Sequence, residues 1–219
     1  MPKLIWDEVG KRFYETGVTK CVLYPQTAPG VFDKGVAWNG VTGVTENPSG
    51  ADLTDLWADD IKYASLRSAE TFGATIEAYM YPDEFAECDG SAEPIPGVLL
   101  GQQSRKAFCF AYRTSIGNDA SNDADAGYKL HLIYNATASP SDRSYATIND
   151  SPDAITFSWE LTTNPVIVAG YKKPVANVTI DSMKVNAAKL EALEEMLYGT
   201  ETEEARMPMP AEVLALLTE

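Results

Sequence analysis

Histidine, cysteine and positive charge are scarce in this sequence, and the first two scarcities limit the chemistry that it supports. The single histidine, His131, stands between two leucines in an alternating segment. No nucleophile elbow accompanies it, so no Ser–His–Asp site is expected. The three cysteines, Cys21, Cys88 and Cys109, include no C-x-x-C pair. They predict neither a zinc site nor a disulfide framework, and we expect buried apolar thiols in a reducing compartment.

The shortage of positive charge limits the partners. The chain has 17 Lys and Arg residues against 32 Asp and Glu residues, a net charge of −15 over 219 residues. A chain this acidic is repelled by polyphosphate, which disfavours sequence-specific or tight nucleic-acid binding. Solubility alone explains the acidic excess equally well.

Long apolar runs and nucleotide-binding motifs are also missing. No apolar stretch approaches the ~20 residues that span a bilayer. Residues 1–15 lack the apolar core of a signal peptide, so we expect a soluble protein made in the cytoplasm. The sequence contains neither a phosphate-binding glycine loop nor a dinucleotide-binding motif, and no cofactor is expected.

A polar loop contains Asp119, Asp123 and Asp125 at alternate positions, the spacing that calcium loops use. Counted from Asp119, however, the sixth position is Ala124 instead of glycine, and the twelfth is Leu130 instead of glutamate. The frame that starts at Asp123 fails as well. We therefore expect a solvated polar turn and no metal site.

Alternation of apolar and polar residues is the main pattern that is present. It is longest over residues 71–81, where the even-numbered residues are apolar, and Pro82 then interrupts the strand. Similar patterns predict strands over residues 17–24, 36–44, 107–115, 128–135 and 154–163, with Pro25 ending the first of them. Strands at this spacing, with turn residues between them, predict an antiparallel β-sandwich or barrel.

The other segments divide the chain. We expect an N-terminal arm over residues 1–16, a β-domain over 17–180, a flanking helix over 181–199 and a C-terminal extension over 200–219. Ser182 is the expected N-cap of the helix and Gly199 its C-terminal glycine. Within the extension, residues 200–206 are acidic and expected to be mobile, and the apolar residues 213–217 should dock on the same domain or on a neighbour. The turn-rich loop 25–60 contains Trp38 and Trp57, which indicates an ordered segment that packs against something.

A series of short motifs resembles one family, the major tail tube proteins of long-tailed (siphovirus) phages of Gram-positive bacteria. The motifs occur in the family's order, from Trp6 to about Pro210, and each is weak alone. They are residues 6–7 (WD), 14–18 (YETGV), 35–40 (GVAWNG), 77–85 (EAYMYPDEF), 101–103 (GQQ), 112–114 (YRT), 117–119 (GND), 127–132 (GYKLHL) and 149–152 (NDSP).

The resemblance implies a mainly β fold, an antiparallel β-sandwich or barrel of the phage tail-tube type with a flanking α-helix and extended arms and loops. Six such subunits form a ring, and stacked rings form the tail tube that conducts double-stranded DNA into the host. The implied partners are further copies of the chain, the tape measure protein inside the tube, and the tail terminator and distal tail proteins. The resemblance implies a virion tail protein without enzymatic activity, without a cofactor and without membrane insertion.

An acidic lumen suits a DNA conduit, because repulsion prevents bound phosphates from stalling transit. The candidates for lumen-facing residues lie on the polar strand faces; they are Thr75, Glu77, Ser158, Glu160 and Thr162. Lys129 and His131 are expected to share that face, where Glu77 or Glu160 would neutralise the lysine. Trp38 and Trp57 of the loop 25–60 are the candidates for ring-to-ring contacts, with the N-terminal arm and the C-terminal segment as further possibilities.

Three other functions remain open from the sequence. One is another virion structural subunit, such as a capsid decoration protein or a tail terminator. A soluble carbohydrate-binding β-sandwich is the second, and it would expose aromatic side chains in a groove. The third is a hydrolase that uses a carboxylate pair such as Asp83 and Glu84, which would need two carboxylates roughly 5–10 Å apart in a cleft.

Overall fold

A computed structural model of the chain describes residues 3–120, 125–148, 150 and 153–218. These residues fold mainly into strands, with one 3₁₀ turn at Asp83–Phe85 and two helices near the C-terminus. The strands are β1 (Phe13–Ala28), β2 (Val31–Phe32), β3 (Val36–Ala37), β4 (Val41–Glu46), β5 (Ser49–Gly50), β6 (Leu53–Ala58), β7 (Ile61–Arg67), β8 (Glu70–Thr71), β9 (Gly73–Ala78), β10 (Ala92–Ile95), β11 (Val98–Leu100), β12 (Phe108–Asn118), β13 (Gly127–Ala138), β14 (Phe157–Thr163) and β15 (Asn177–Asp181). The helices are α1 (Ala187–Tyr198) and α2 (Pro210–Thr218).

One antiparallel sheet holds most of these strands, which confirms the predicted fold class. Its strand order is β2-β1-β12-β13-β14-β9-β4, and β15 and β3 join it beside β13 and β1. β3 lies on the edge of β1, and the next strand, β4, lies on the edge of β9. The sheet therefore curls round, and the β3–β4 connection links its two ends.

The interior of the curled sheet is the first core of the protein. Aromatic rings fill it, and Trp38, Phe85 and Trp159 pack with their ring centroids 4.5–5.5 Å apart. Asn135 has a φ of 50° and marks a bulge in β13, where the register with β12 shifts. One extra residue exchanges the two faces of a strand, so Ile133 and Ala136 both point into this core.

The two helices cover the outer face of β1, β12, β13 and β15 and form the second core with it. Leu190, Leu193 and Leu197 of α1 are buried there, and Val213 of α2 is buried beside them. Within this core the hydroxyl of Tyr24 donates a hydrogen bond to Leu197 O at 2.6 Å. The apolar residues 213–217 thus dock on their own domain, as one of the two predicted alternatives.

Several predicted boundaries are wrong. β1 continues through Pro25, whose carbonyl accepts a hydrogen bond from Asp33 N at 2.7 Å, and β1 begins at Phe13 inside the predicted arm 1–16. The helix begins at Ala187, and its N-cap is Asn186 instead of Ser182. Gly199 does end the helix, with a φ of 77°.

The acidic segment 200–206 was expected to be mobile, and the structure shows it fixed to the body. Gly35 N donates to Ala205 O at 2.7 Å, and Arg206 N donates to Met196 O at the same distance. A Cβ atom at position 35 would lie 2.9 Å from the Ala205 side chain, so only glycine permits this close approach.

Candidate assembly surfaces

All five lumen candidates lie together on one outer face of the sheet, which we call the polar face. Ser158 is paired with Glu77 across β14 and β9, and Glu160 is paired with Thr75. Thr162 follows two residues later on the same side of β14. These side chains alternate with the interior residues of the same strands, which places them outside the barrel.

The polar face carries negative charge and no positive charge. The sequences of β4, β9 and β14 contain no lysine, arginine or histidine. Glu77 and Glu160 are exposed, and neither forms an ion pair within the described ranges 3–120, 125–148 and 153–218. Asn47 donates a hydrogen bond to Thr75 Oγ1 at 2.8 Å, so hydroxyl and amide groups fill the space between the carboxylates.

Lys129 and His131 do not share the polar face, and that prediction is wrong. They alternate on β13 with Leu130 and lie on the side of Ile133, which points into the first core. Lys129 pairs with Glu15 of β1 at 2.5 Å instead of with Glu77 or Glu160. The positive charge of Lys129 is thereby neutralised inside the subunit and does not reach the polar face.

His131 is a largely buried residue that packs within the barrel. Its ring stacks on Tyr112 with centroids 4.5 Å apart, its side chain is only 12% exposed, and Glu15 and Glu46 approach its two nitrogens at 3.4 and 3.8 Å. Burial lowers the pKa of His131 below its ordinary value, although both carboxylates act in the opposite direction. Burial raises the pKa of Glu15, but hydrogen bonds from Lys129 and Thr114 outweigh it and leave that pKa lowered.

Two carboxylates of the acidic turn after β9, those of Glu87 and Asp89, are neutralised internally. Asp89 forms ion pairs with Arg105 and Arg143, and Glu87 pairs with Lys106. Arg143 also lies over the ring of Tyr81, with its guanidinium carbon 5.6 Å from the centroid. These contacts tie the turn to two other loops, so Asp89 is a structural residue of the barrel rim.

A hairpin projects from the body and exposes apolar side chains. It consists of β6 and β7, and we call it the apolar hairpin. Apart from Ala64, each of its strand residues is exposed. Its large apolar residues are 41–75% exposed; they are Leu53, Leu56, Trp57, Ile61, Tyr63 and Leu66. A two-stranded hairpin with such a surface is marginally stable in water and needs a partner surface.

The two tryptophans proposed for ring-to-ring contacts have different surroundings. Trp57 lies on the apolar hairpin and is 68% exposed. Trp38 is 2% exposed in the first core, where its indole N–H donates to Met80 O at 2.8 Å. The structure therefore corrects the prediction for Trp38, because a side chain enclosed by its own barrel has no surface for another ring.

Asp119, the first aspartate of the polar loop that was compared with a calcium loop, holds the N-terminal arm. Asp119 accepts a hydrogen bond from Gly10 N at 2.9 Å and pairs with Arg12 at 3.3 Å, which anchors the N-terminal arm. Asp123 lies outside the described residues, as do residues 149, 151 and 152 of the NDSP motif. No group of three potential metal ligands occurs in the described part of the chain.

Beyond its anchor the N-terminal arm exposes Leu4, Ile5, Trp6 and Val9, each more than 70% exposed.

Neither α1 nor α2, the helices found among the described residues, is long and apolar enough to cross a lipid bilayer.

Comparison with known proteins finds only a distant structural likeness. No family profile matches the sequence, and no curated protein matches it. Among solved structures, the chain is similar to a chain of the sheath–tube complex of an extracellular contractile injection system in its extended state. The two share 13% sequence identity with a TM-score of 0.30, over 80% of this chain and 93% of the other. A likeness this distant carries no argument about function, which rests on the surfaces described above.

Proposed function

We propose that this protein is a structural subunit of a phage tail tube. The observation that carries the proposal is the polar face, on which Glu77 and Glu160 stand among hydroxyl groups on strands without a basic residue. Such a wall repels DNA phosphates and gives them no cation on which to stall. The ordered motifs that resemble tail tube proteins support the same function.

Assembly of many copies is the second part of the proposal. In the proposed tube, six subunits form a ring with their polar faces towards the lumen, and rings stack along the axis. The apolar hairpin supports this arrangement, because its exposed residues Leu56, Trp57 and Ile61 need cover that a neighbouring copy supplies. Trp57 is the proposed ring-to-ring contact residue.

The remaining partners follow from that position in a virion. The tube would hold the tape measure protein before ejection, bind the tail terminator and distal tail proteins at its ends, and let double-stranded DNA pass afterwards. The subunit would be made in the host cytoplasm and function in the virion tail. Its role is architectural, without catalysis or a cofactor.

Electron microscopy of the purified protein tests the proposal directly. A tube subunit should form long hollow rods of uniform width in negative stain. Short, closed particles would instead favour a capsid decoration protein or a tail terminator. Dispersed single subunits at high concentration would contradict self-assembly and would favour the carbohydrate-binding or hydrolase alternatives.

The position of the polar face has its own test. Tubes of the Glu77→Lys/Glu160→Lys variant should retain short double-stranded DNA when they are sedimented, whereas wild-type tubes should not. The control is Glu84→Lys/Glu191→Lys, which makes the same change in net charge at two exposed residues outside this face. Equal DNA retention by the two variants would show that the polar face does not line the channel.

A further inference from the structure

The tip of the apolar hairpin combines negative charge with apolar surface. Its turn residues, Asp59 and Asp60, have φ angles of 49° and 60°, the positive signs that a type I′ turn requires. Both are exposed, and neither forms an ion pair with any residue that the structure describes. Ala58 and Ile61 flank them as a cross-strand pair, and Trp57 lies opposite Lys62 on the other face of the hairpin. A partner for this tip should therefore offer cations beside apolar side chains.

One loop of the same chain has that complementary character, and we call residues 167–173 the basic loop. Val166 and Val175 close it through two backbone hydrogen bonds of 2.8 Å, and Tyr171 N donates to Val168 O at 3.3 Å. Val168 is buried, so the loop is anchored on the body. Its outward residues are Ile167, 86% exposed, Tyr171, Lys172 and Lys173.

The two lysines of the basic loop stand out among the basic residues. The sequence has three pairs of adjacent basic residues, and the structure engages two of them in internal ion pairs. Those pairs are Lys11–Arg12 and Arg105–Lys106, which bind Glu8, Asp119, Asp89 and Glu87. Lys172 and Lys173 have no carboxylate within ion-pair distance among the described residues. This exposed pair is therefore available for contact with an acidic surface.

The hairpin tip does not meet the basic loop of its own subunit. Ala69 and Glu70, just beyond the base of the hairpin, line the same cavity as Lys173. The six residues of β6 span about 20 Å, so the tip lies about that far from its base. The tip of one copy can reach the basic loop only on another copy.

We propose that the hairpin tip of one subunit binds the basic loop of a neighbouring subunit in the assembly. In this contact Asp59 and Asp60 face Lys172 and Lys173, and Ile61 packs against Ile167 and Tyr171. The contact joins two different patches, so it is heterologous and can be repeated from copy to copy. This inference rests on the proposed function, since it names the surface on which the hairpin lies in the tube.

Two charge-reversed variants test the contact in the full-length protein. The first is Asp59→Lys/Asp60→Lys, and the second is Lys172→Glu/Lys173→Glu. Each variant alone sets like charges against each other in every contact, and the fraction that sediments as tubes should fall at least about tenfold. When the two variants are mixed in equal amounts, each tip again meets an oppositely charged loop, and tubes should reappear.

Two controls separate the contact from other effects. Lys34→Glu/Lys184→Glu makes the same change in net charge as the second variant at two other exposed lysines and should polymerise as the wild type does. Asp59→Asn/Asp60→Asn keeps residues that tolerate the positive φ angles, so its partial loss of tubes would not come from a strained turn. Thermal unfolding of each variant reports whether the subunit itself is intact.

The outcomes distinguish this inference from the proposed function. If the wild type forms no tubes, the proposed function fails and the contact fails with it. If the wild type forms tubes and both reversed variants polymerise as well as the control, only the contact is contradicted. Loss of tubes in both variants without recovery on mixing would also contradict it, because the tip and the loop would then bind different partners.

Discussion

Trp38 and Trp57 belong to two regions that place the same side chain in opposite environments. In the barrel, Trp38 is surrounded by aromatic rings from its own chain, and in the apolar hairpin Trp57 stands in solvent. The barrel satisfies its apolar residues within one copy, whereas the hairpin does not. The difference indicates that folding and the proposed assembly use separate sets of residues, so each can be disturbed without the other.

The largest effect on folding is expected in the barrel. Trp38→Ala should lower the free energy of unfolding of the subunit by about 3–5 kcal/mol, because it leaves a cavity among Phe85, Phe110 and Trp159 and removes the hydrogen bond to Met80. Chemical denaturation of the wild type and the variant measures this. A loss below about 1 kcal/mol would contradict the placement of Trp38 in the core.

A smaller effect on folding is expected at the N-terminus of α1, the helix that covers the outer face of the sheet. The side chain of Asn186 accepts hydrogen bonds from Ala188 N and Lys189 N at 3.0 and 3.5 Å. Asn186→Ala should lower the free energy of unfolding by about 0.5–2 kcal/mol, and Asn186→Ser should restore most of it. Denaturation of both variants is the measurement. Equal stability of the alanine and serine variants would contradict the capping role.

His131 should make the stability of the barrel depend on pH. Its pKa is lowered in the folded state, so the neutral form is favoured and stability is lost as the pH falls below the unfolded pKa of about 6.5. The thermal unfolding midpoint of the wild type should therefore decrease as the pH is lowered from about 7.5 to about 5.5. The midpoint of His131→Gln should decrease less over the same range. Glu15 titrates at lower pH and does not contribute in this window. Parallel curves for the two proteins would contradict the prediction.

The smallest effect on folding is expected at the hairpin. Trp57→Ala should change the free energy of unfolding of the isolated subunit by less than about 0.5 kcal/mol, because the side chain is largely exposed. The same substitution should strongly reduce tube formation in negative stain. A variant that loses stability but still forms tubes would reverse the comparison with Trp38.

The strands of the barrel could be predicted because their alternation is strong and local. Residues of β9 and β14 follow the pattern closely, and for that reason the alternation predicts the common face of Thr75, Glu77, Ser158, Glu160 and Thr162. Their position in a lumen stays a prediction. The register of β13 could not be read, because the bulge at Asn135 exchanges its two faces within the strand.

The surroundings of the two tryptophans could not be predicted from the sequence. Both occur in a segment rich in turns. Nothing local shows that Trp38 lies on the connection between β3, which pairs with β1, and β4, which pairs with β9. The apolar hairpin was missed because its turn, Asp59-Asp60, lacks the glycine that usually marks a type I′ turn. The partner of Lys129 could not be predicted, because Glu15 is 114 residues away and falls within the predicted N-terminal arm.

The three buried cysteines allow the opening of the folded subunit to be measured by thiol alkylation. Burial raises the pKa of each thiol, Cys21, Cys88 and Cys109, to about 12, and only the thiolate reacts with alkylating reagents. Alkylation of these thiols therefore requires the barrel to open, and the alkylation rate reports how often it opens. The exposed thiol of an Asp59→Cys variant would react at once. A single labelling experiment would therefore report on the hairpin and the barrel separately, in the free subunit and in the proposed tube.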